Sequence, residues 1–181
     1  FFTNNDTAYE SAISLFKKGI KVQAIIDIRE KSKSSIVKQA EDLGIKTYWS
    51  HTVVDTYGYK KLKQISIIEL SKDGLSVIGS KTNIDCDCLG IAGGWTPAVH
   101  LFTQSGGKLK FRDKDQVFIP DKYPSKQISI GSCNGDFELD EIIKNSSDKL
   151  KKFLELDKTD YENLSVITSK ETNKKNIWLL P

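Results

Sequence analysis

The β-branched run from Ile20 to Ile28 constrains this chain more than any other segment. Such a run reads as a strand covered on both faces, the situation of a parallel sheet. Parallel neighbours need long crossovers, usually helices. The flanking sequence supplies them. Before the run, Asn4 or Asn5 can cap a helix in which Ala8, Ala12, Leu15 and Phe16 recur at helical spacing, and Gly19 closes it. After the run, Ser32 to Leu43 is a second amphipathic helix closed by Gly44, and Ile45 to Val54 reads as a further strand. With Phe1-Phe2-Thr3 as the end of a leading strand, the order is β-α-β-α-β. That order predicts an α/β fold: a Rossmann-like parallel sheet with right-handed crossovers.

The pattern then changes. Thr52 to Tyr57, Lys63 to Leu70 and Leu75 to Ile78 alternate or run apolar between turn signals, which predicts an antiparallel meander. Cys86 to Ala92 is another short strand, ending in Gly93-Gly94. A short helix follows at Val99 to Thr103, then a turn at Gly106-Gly107 and strands near Gln116 to Ile119 and Gln127 to Ile130. Phe137 to Leu156 is the longest helical pattern. The polar stretch from Asp157 to Asn176 reads as a linker, and Ile177 to Pro181 turns apolar again.

Composition removes several function classes. Of 27 basic residues only Arg29 and Arg112 are arginine, and no basic stripe is interleaved with aromatics, so nucleic acid is not an expected partner. The apolar runs are far too short to span a bilayer, so no membrane partner is expected. Three cysteines form no disulfide framework, which points to a reducing, cytoplasmic compartment. Cys86 and Cys88 alternate on the expected strand, but further ligands for a tetrahedral metal site are missing from the sequence. His51 reads as structural and His100 as a helix-capping or interface residue. The chain holds no methionine and opens on Phe1-Phe2, which suggests a stretch of a longer polypeptide.

In a dinucleotide fold the first strand–helix turn meets the pyrophosphate. Here that turn is Thr3-Asn4-Asn5-Asp6-Thr7 rather than a glycine-rich loop. Asparagine tolerates left-handed backbone angles, and its amide can donate to phosphate. Asp6 opposes a phosphate by charge, so its side chain is expected to cap the helix or bond a ribose. Asp27 ends the second strand roughly 20 residues on, the spacing of an acid that binds the adenosine ribose and repels a 2′-phosphate. That favours NAD over NADP, and Arg29 softens the preference. Gly93 and Gly94 let backbone approach a cofactor, with Trp95 and Pro97 as walls.

Three segments, in order, carry a family resemblance. Cys88 to Leu101, with Gly93-Gly94-Trp95-Thr96-Pro97 and His100-Leu101, resembles a segment of the alpha subunit of heterotetrameric sarcosine oxidase. Phe2 to Tyr9 is similar to that subunit's pyridine-nucleotide loop. Gly131-Ser132-Cys133-Asn134-Gly135 falls where the family returns to its flavin. The resemblance implies a two-dinucleotide flavoprotein: residues 1–94 as an NAD-binding domain with a truncated first strand, 95–156 as the C-terminal part of a FAD-binding domain, and 157–181 as a linker towards a folate-binding domain. It implies oxidative demethylation of sarcosine to glycine, with noncovalent FAD, NAD, covalent FMN and tetrahydrofolate as one-carbon acceptor in the whole complex. The implied partners are the other subunits of the heterotetramer, one of which takes the amine substrate. Thr3, Asn4, Asn5, Asp6, Tyr9, Asp27, Arg29, Gly93, Gly94, Trp95 and Pro97 would then face a nucleotide, and residues 131–135 a flavin. No residue is assigned catalysis. The residues also admit a structural or interaction module with a vestigial nucleotide site, or a subunit of an opine or hydroxyproline dehydrogenase complex.

Overall fold

A computed structural model describes residues 1–113, 117–124 and 126–155. They fall into two compact units that divide between Gly94 and Trp95.

In the first unit, β1 (Phe2–Thr3), β2 (Ile25–Asp27), β3 (Thr47–Trp49) and β7 (Ile91–Ala92) form one sheet in the order β3-β2-β1-β7, with all three pairings parallel. α1 (Thr7–Lys17) and α2 (Ser35–Asp42) make the crossovers. The antiparallel meander is β4 (His51–Tyr57), β5 (Gln64–Leu70) and β6 (Val77–Asp85). β2 joins the layers because its side chains alternate. Ile25 packs with Tyr9, Ala12, Ile13, Val37, Ala40 and Ile45 on the helix side. Ile26 packs with Ala24, Ile65 and Ile67 on the meander side. Both isoleucines are essentially unexposed. Burying each contributes about 1.5–3 kcal/mol, so a three-residue strand is enough to hold three layers together.

The sequence expectations need four corrections here. The Ile20–Ile28 strand shrinks to Ile25–Asp27, since Ile20 is 52% exposed and pairing reaches only as far as the short neighbouring strands. The Ile45–Val54 strand breaks at Ser50, whose φ of 52° turns the chain out of the parallel sheet and into the meander. Ser50 is held there by its N–H to Arg29 O and by Leu70 N–H to its own carbonyl. Only Ile91–Ala92 of the Cys86–Ala92 segment is strand, so Cys86 and Cys88 do not share a strand face. β6 runs well past the expected Ile78, to Asp85.

The second unit holds α3 (His100–Gln104), the hairpin β8 (Lys108–Arg112) with β9 (Val117–Lys122), a 3-10 turn at Gly131–Asn134, and α4 (Leu139–Phe153). Two expectations change. β8 was not foreseen, and Gln127–Ile130 pairs with no strand among the described residues. The linker and the apolar segment at 177–181 lie outside the described residues. Among the described residues no helix is long and apolar enough to cross a membrane.

The two-sided packing of the first unit makes a contrast measurable. Ile67 is fully buried against the sheet, whereas Ile78 in the same meander is 50% exposed. Ile67→Ala should lower unfolding free energy by about 2–5 kcal/mol, and Ile78→Ala by no more than about 0.5 kcal/mol. Urea titration reads both as shifts of midpoint at constant slope. Equal losses would mean that the meander face is not the core described above.

Candidate functional site

In an open parallel sheet, ligands bind beyond the carboxyl ends of the strands, where the strand order reverses. In β3-β2-β1-β7 that point lies between β1 and β7. The strand registers set Ala92, Thr3, Asp27 and Trp49 side by side in one row across this edge. The turn after Thr3 and the glycines after Ala92 therefore meet at the switch point.

The turn is satisfied from within. The Thr3 hydroxyl accepts the Asn5 N–H and shares its proton between the carbonyls of Asn5 and Ala92. The Asn5 amide donates to Ala92 O at 3.1 Å and to Asn4 Oδ1 at 2.8 Å. Its own Oδ1 accepts the Thr7 N–H at 3.0 Å, which caps α1. The Asn4 amide donates to Gly93 O at 3.1 Å. All three side chains are buried, where unpaired polar groups are costly. Both asparagine amides are thus directed at the end of β7, and not outward as a phosphate contact requires. Neither asparagine takes a left-handed backbone: the positive-φ residues other than glycine among the described residues are Ser50 and Glu155. Gly94 does need its freedom, at φ 97°. A Cβ there would face the Asn4 amide at 3.9 Å.

Beside the turn lies a buried ionic cluster. Asp27 is entirely unexposed and Arg29 only 4% exposed. Asp27 Oδ1 accepts the Arg29 backbone N–H at 2.9 Å and Nε–H at 3.0 Å. Oδ2 accepts the second guanidinium arm and the Tyr9 hydroxyl, both at 2.8 Å. A carboxylate offers about four lone-pair positions, and here four donors fill them. The same guanidinium nitrogen lies 2.8 Å from Asp6 Oδ1. Asp6 stands at the N-cap of α1, yet its side chain makes no cap bond and pairs with Arg29. Asp6 therefore does not cap α1 through its side chain, and both oxygens of Asp27 are already bonded: Arg29 takes both carboxylates. Burial alone would pull the Arg29 proton affinity down. The hydrogen bonds and charge of Asp27, then those of Asp6, outweigh it and hold the group above its ordinary value. Burial, then the charge of Asp27 and the hydrogen bond to it, push the Tyr9 hydroxyl well above the usual tyrosine range. Tyr9 also stacks on Trp49, with ring centroids 6.0 Å apart.

The remaining expected site residues belong to the second unit. Trp95 is 63% exposed, and Pro97 is buried. Gly131 and Gly135 have φ of 61° and 82° and flank exposed Ser132 and Cys133 and half-buried Asn134. A Cβ on Gly135 would stand 2.8 Å from an Arg112 guanidinium nitrogen, and that nitrogen donates to Gly135 O at 2.6 Å. Asp136, buried, accepts from the Asn134 and Asn145 amides. Arg112, Asp136 and Thr7 were not among the expected site residues, although Thr7 belongs to the expected turn and the scarcity of arginine pointed to Arg112. His51 Nδ1 lies 2.6 Å from Trp49 O, and His100 is exposed at the start of α3. Cys86 is held above the ordinary thiol range by burial. Among the described residues no three His, Cys, Asp or Glu side chains come together as metal ligands.

No family model matches the sequence. The sarcosine oxidase subunit alpha of Corynebacterium sp. (strain P-1) is 32% identical over 138 residues, 75% of this chain and 14% of that subunit. The Rhizobium meliloti (strain 1021) subunit is 33% identical over 124 residues, 65% of this chain and 11% of the relative. The chain thus spans about a seventh of the length of the curated relatives it matches. Among solved structures, T. acidophilum thioredoxin reductase superposes with a TM-score of 0.56 at 16% identity, covering 86% of this chain and 50% of that one. Mycobacterium tuberculosis FprA in complex with NADPH gives 0.54 at 12% identity, over 85% and 51%. The chain resembles a stretch of the sarcosine oxidase alpha subunits, and it shares a fold with T. acidophilum thioredoxin reductase and FprA.

The Tyr9 hydroxyl carries a pH test. Its folded value is raised, so its contribution to stability is complete below the ordinary tyrosine pKa of about 10 and is lost as pH climbs from there through the folded value. Tyr9→Phe should cost about 1.5–3 kcal/mol at neutral pH, because Asp27 loses a donor. Above about pH 10 its stability should then fall less steeply than wild type, by up to about 1.4 kcal/mol per pH unit. Urea titrations at a series of pH values compare the two slopes, and parallel alkaline limbs would remove Tyr9 from this role.

Proposed function

We propose that this chain is the dinucleotide-binding part of a flavin-dependent amine oxidase subunit of the sarcosine oxidase alpha type. The first unit is then an NAD-binding domain, and the second contributes to a FAD site. The observation that carries the reading is the switch-point row Ala92-Thr3-Asp27-Trp49, in a chain 32% identical to such a subunit. A pyrophosphate would be met by backbone and not by the asparagine amides. The N-terminus of α1 offers a positive dipole end, and Gly93-Gly94 leave open backbone beside it. The adenosine end does not fit as it stands, because the ribose acceptor Asp27 is already filled. NAD, when bound, would supply a hydride acceptor or a structural brace. In the second unit, Ser132 to Gly135 would meet the flavin. Oxidation of sarcosine, transfer of its one-carbon unit to tetrahydrofolate, the covalent FMN and assembly with partner subunits are assigned to the parent complex.

A second reading draws on the internal use of Asn4, Asn5 and Asp27: an interaction module whose nucleotide site is vestigial. Calorimetric titration of the full chain with NAD separates the two. The dinucleotide reading expects saturable binding below about millimolar concentration, where standard binding free energies reach roughly −4 kcal/mol. Gly94→Val, which forces a branched side chain into a positive-φ position, should weaken that binding about tenfold or more through local strain of about 1–3 kcal/mol. No heat at several millimolar NAD leaves the interaction module as the better account.

A further inference from the structure

We propose that Arg29 is a latch over the adenosine end of the nucleotide cleft, and that NAD binds by exchanging the Arg29–Asp27 bonds for bonds to the ribose. The inference rests on the dinucleotide reading and deepens it.

Three observations carry it. First, the guanidinium spans from the end of β2 to the turn after β1, touching Asp27 and Asp6 at 2.8 Å each. That is the gap between phosphate turn and strand-end acid which an adenosine ribose occupies in this class of sheet. Second, Asp27 has four donors on its two oxygens, so a ribose diol gains no acceptor until a donor leaves. Third, the donors are unequal. The Tyr9 hydroxyl comes from the core and the Arg29 N–H from a backbone whose carbonyl is tied to Ser50, so both stay in place. The guanidinium ends a long side chain, and the latch requires its rotation about its own χ angles with the backbone left in place. Of the four, the two side-chain bonds of Arg29 are the exchangeable ones.

The latch also sets the charge of the cleft. While Arg29 bridges Asp6 and Asp27, the cluster carries one net negative charge beside the phosphate turn. A 2′-phosphate would meet the like charge of Asp27 and the opposite charge of the displaced Arg29, so the acid favours the unphosphorylated ribose and the arginine softens that preference.

A binding-competent form that is one-tenth populated weakens apparent affinity tenfold. Removing the latch should therefore tighten NAD by about tenfold. Two variants make the test. Arg29→Gln frees the acid. The double variant Asp6→Asn with Arg29→Gln does so at unchanged net charge, and it leaves one buried carboxylate to satisfy instead of two. Both are titrated with NAD and with 2′-deoxy-NAD after a circular dichroism melt establishes folding. The latch predicts about tenfold tighter NAD and no comparable gain for the deoxy analogue. Wild type has two arginines, so the Nε–H resonance of Arg29 is separable from that of Arg112 by nuclear magnetic resonance. Saturating NAD should move the Arg29 signal and leave Arg112 in place, a readout that needs no variant to fold. Wild type that binds NAD with the Arg29 signal unmoved, or folded variants that bind no tighter, would overturn the latch and leave the dinucleotide reading standing. Absence of binding by wild type and variants alike overturns both.

Discussion

An unexposed carboxylate between two apolar layers is the constraint from which the first unit is built. Asp27 ends the strand whose Ile25 and Ile26 tie the helices to the meander. A charge there is tolerable only with full hydrogen bonding. Tyr9 from α1, the backbone and guanidinium of Arg29, and through Arg29 the turn residue Asp6, are the answer to that demand. The angle at which α1 leaves the sheet follows from the same set, since Tyr9 must reach Asp27 while stacking on Trp49. The corner at Ser50 follows too, since it donates to Arg29 O.

The second unit meets its own buried acid in the same manner. Asp136 gathers the amides of Asn134 and Asn145, and Arg112 braces the adjoining Gly135 carbonyl. Burial lowers the proton affinity of Lys149, and the charge of Asp136 partly restores it. Both arginines of the chain thus hold backbone or carboxylate internally. In a sequence where lysine supplies nearly all positive charge, arginine is kept where its planar fork can meet several acceptors at once. The excess of lysine is therefore a surface property, and the two arginines are architectural.

Much of the architecture was legible. Alternating helix and strand patterns over the first 54 residues imply the parallel sheet, and Gly19 and Gly44 mark the ends of both helices, each with positive φ. What escaped was set by tertiary geometry. Ser50 carries no glycine-like signal, yet it takes φ 52° because two strands must leave for different sheets. β8 alternates Lys108, Leu109, Lys110, Phe111 and Arg112, a period-two pattern too short to stand out beside the Gly106-Gly107 turn. It becomes a strand because β9 pairs with it. The site was legible as a location and not as a set of contacts. Spacing singled out Thr3–Asp6, Asp27 and Gly93–Gly94, which the strand register brings to one sheet edge, but it does not say where a side chain spends its hydrogen bonds.

That difference bears on how an acid at the end of a second strand is to be read. An acid that binds a ribose must keep acceptor capacity available, whereas an acid that holds a fold together must have its capacity filled. Spacing fits both. The discriminating feature is local: a long donor two residues further along, on the same strand end, whose fork reaches back over the carboxylate. Arg29 has that position and that geometry. Its own backbone N–H already fixes the rotamer of Asp27, so the side chain can close on an acid that is held still. One residue pair can then serve stability and recognition by turns, provided the donor that leaves is the one whose backbone stays behind.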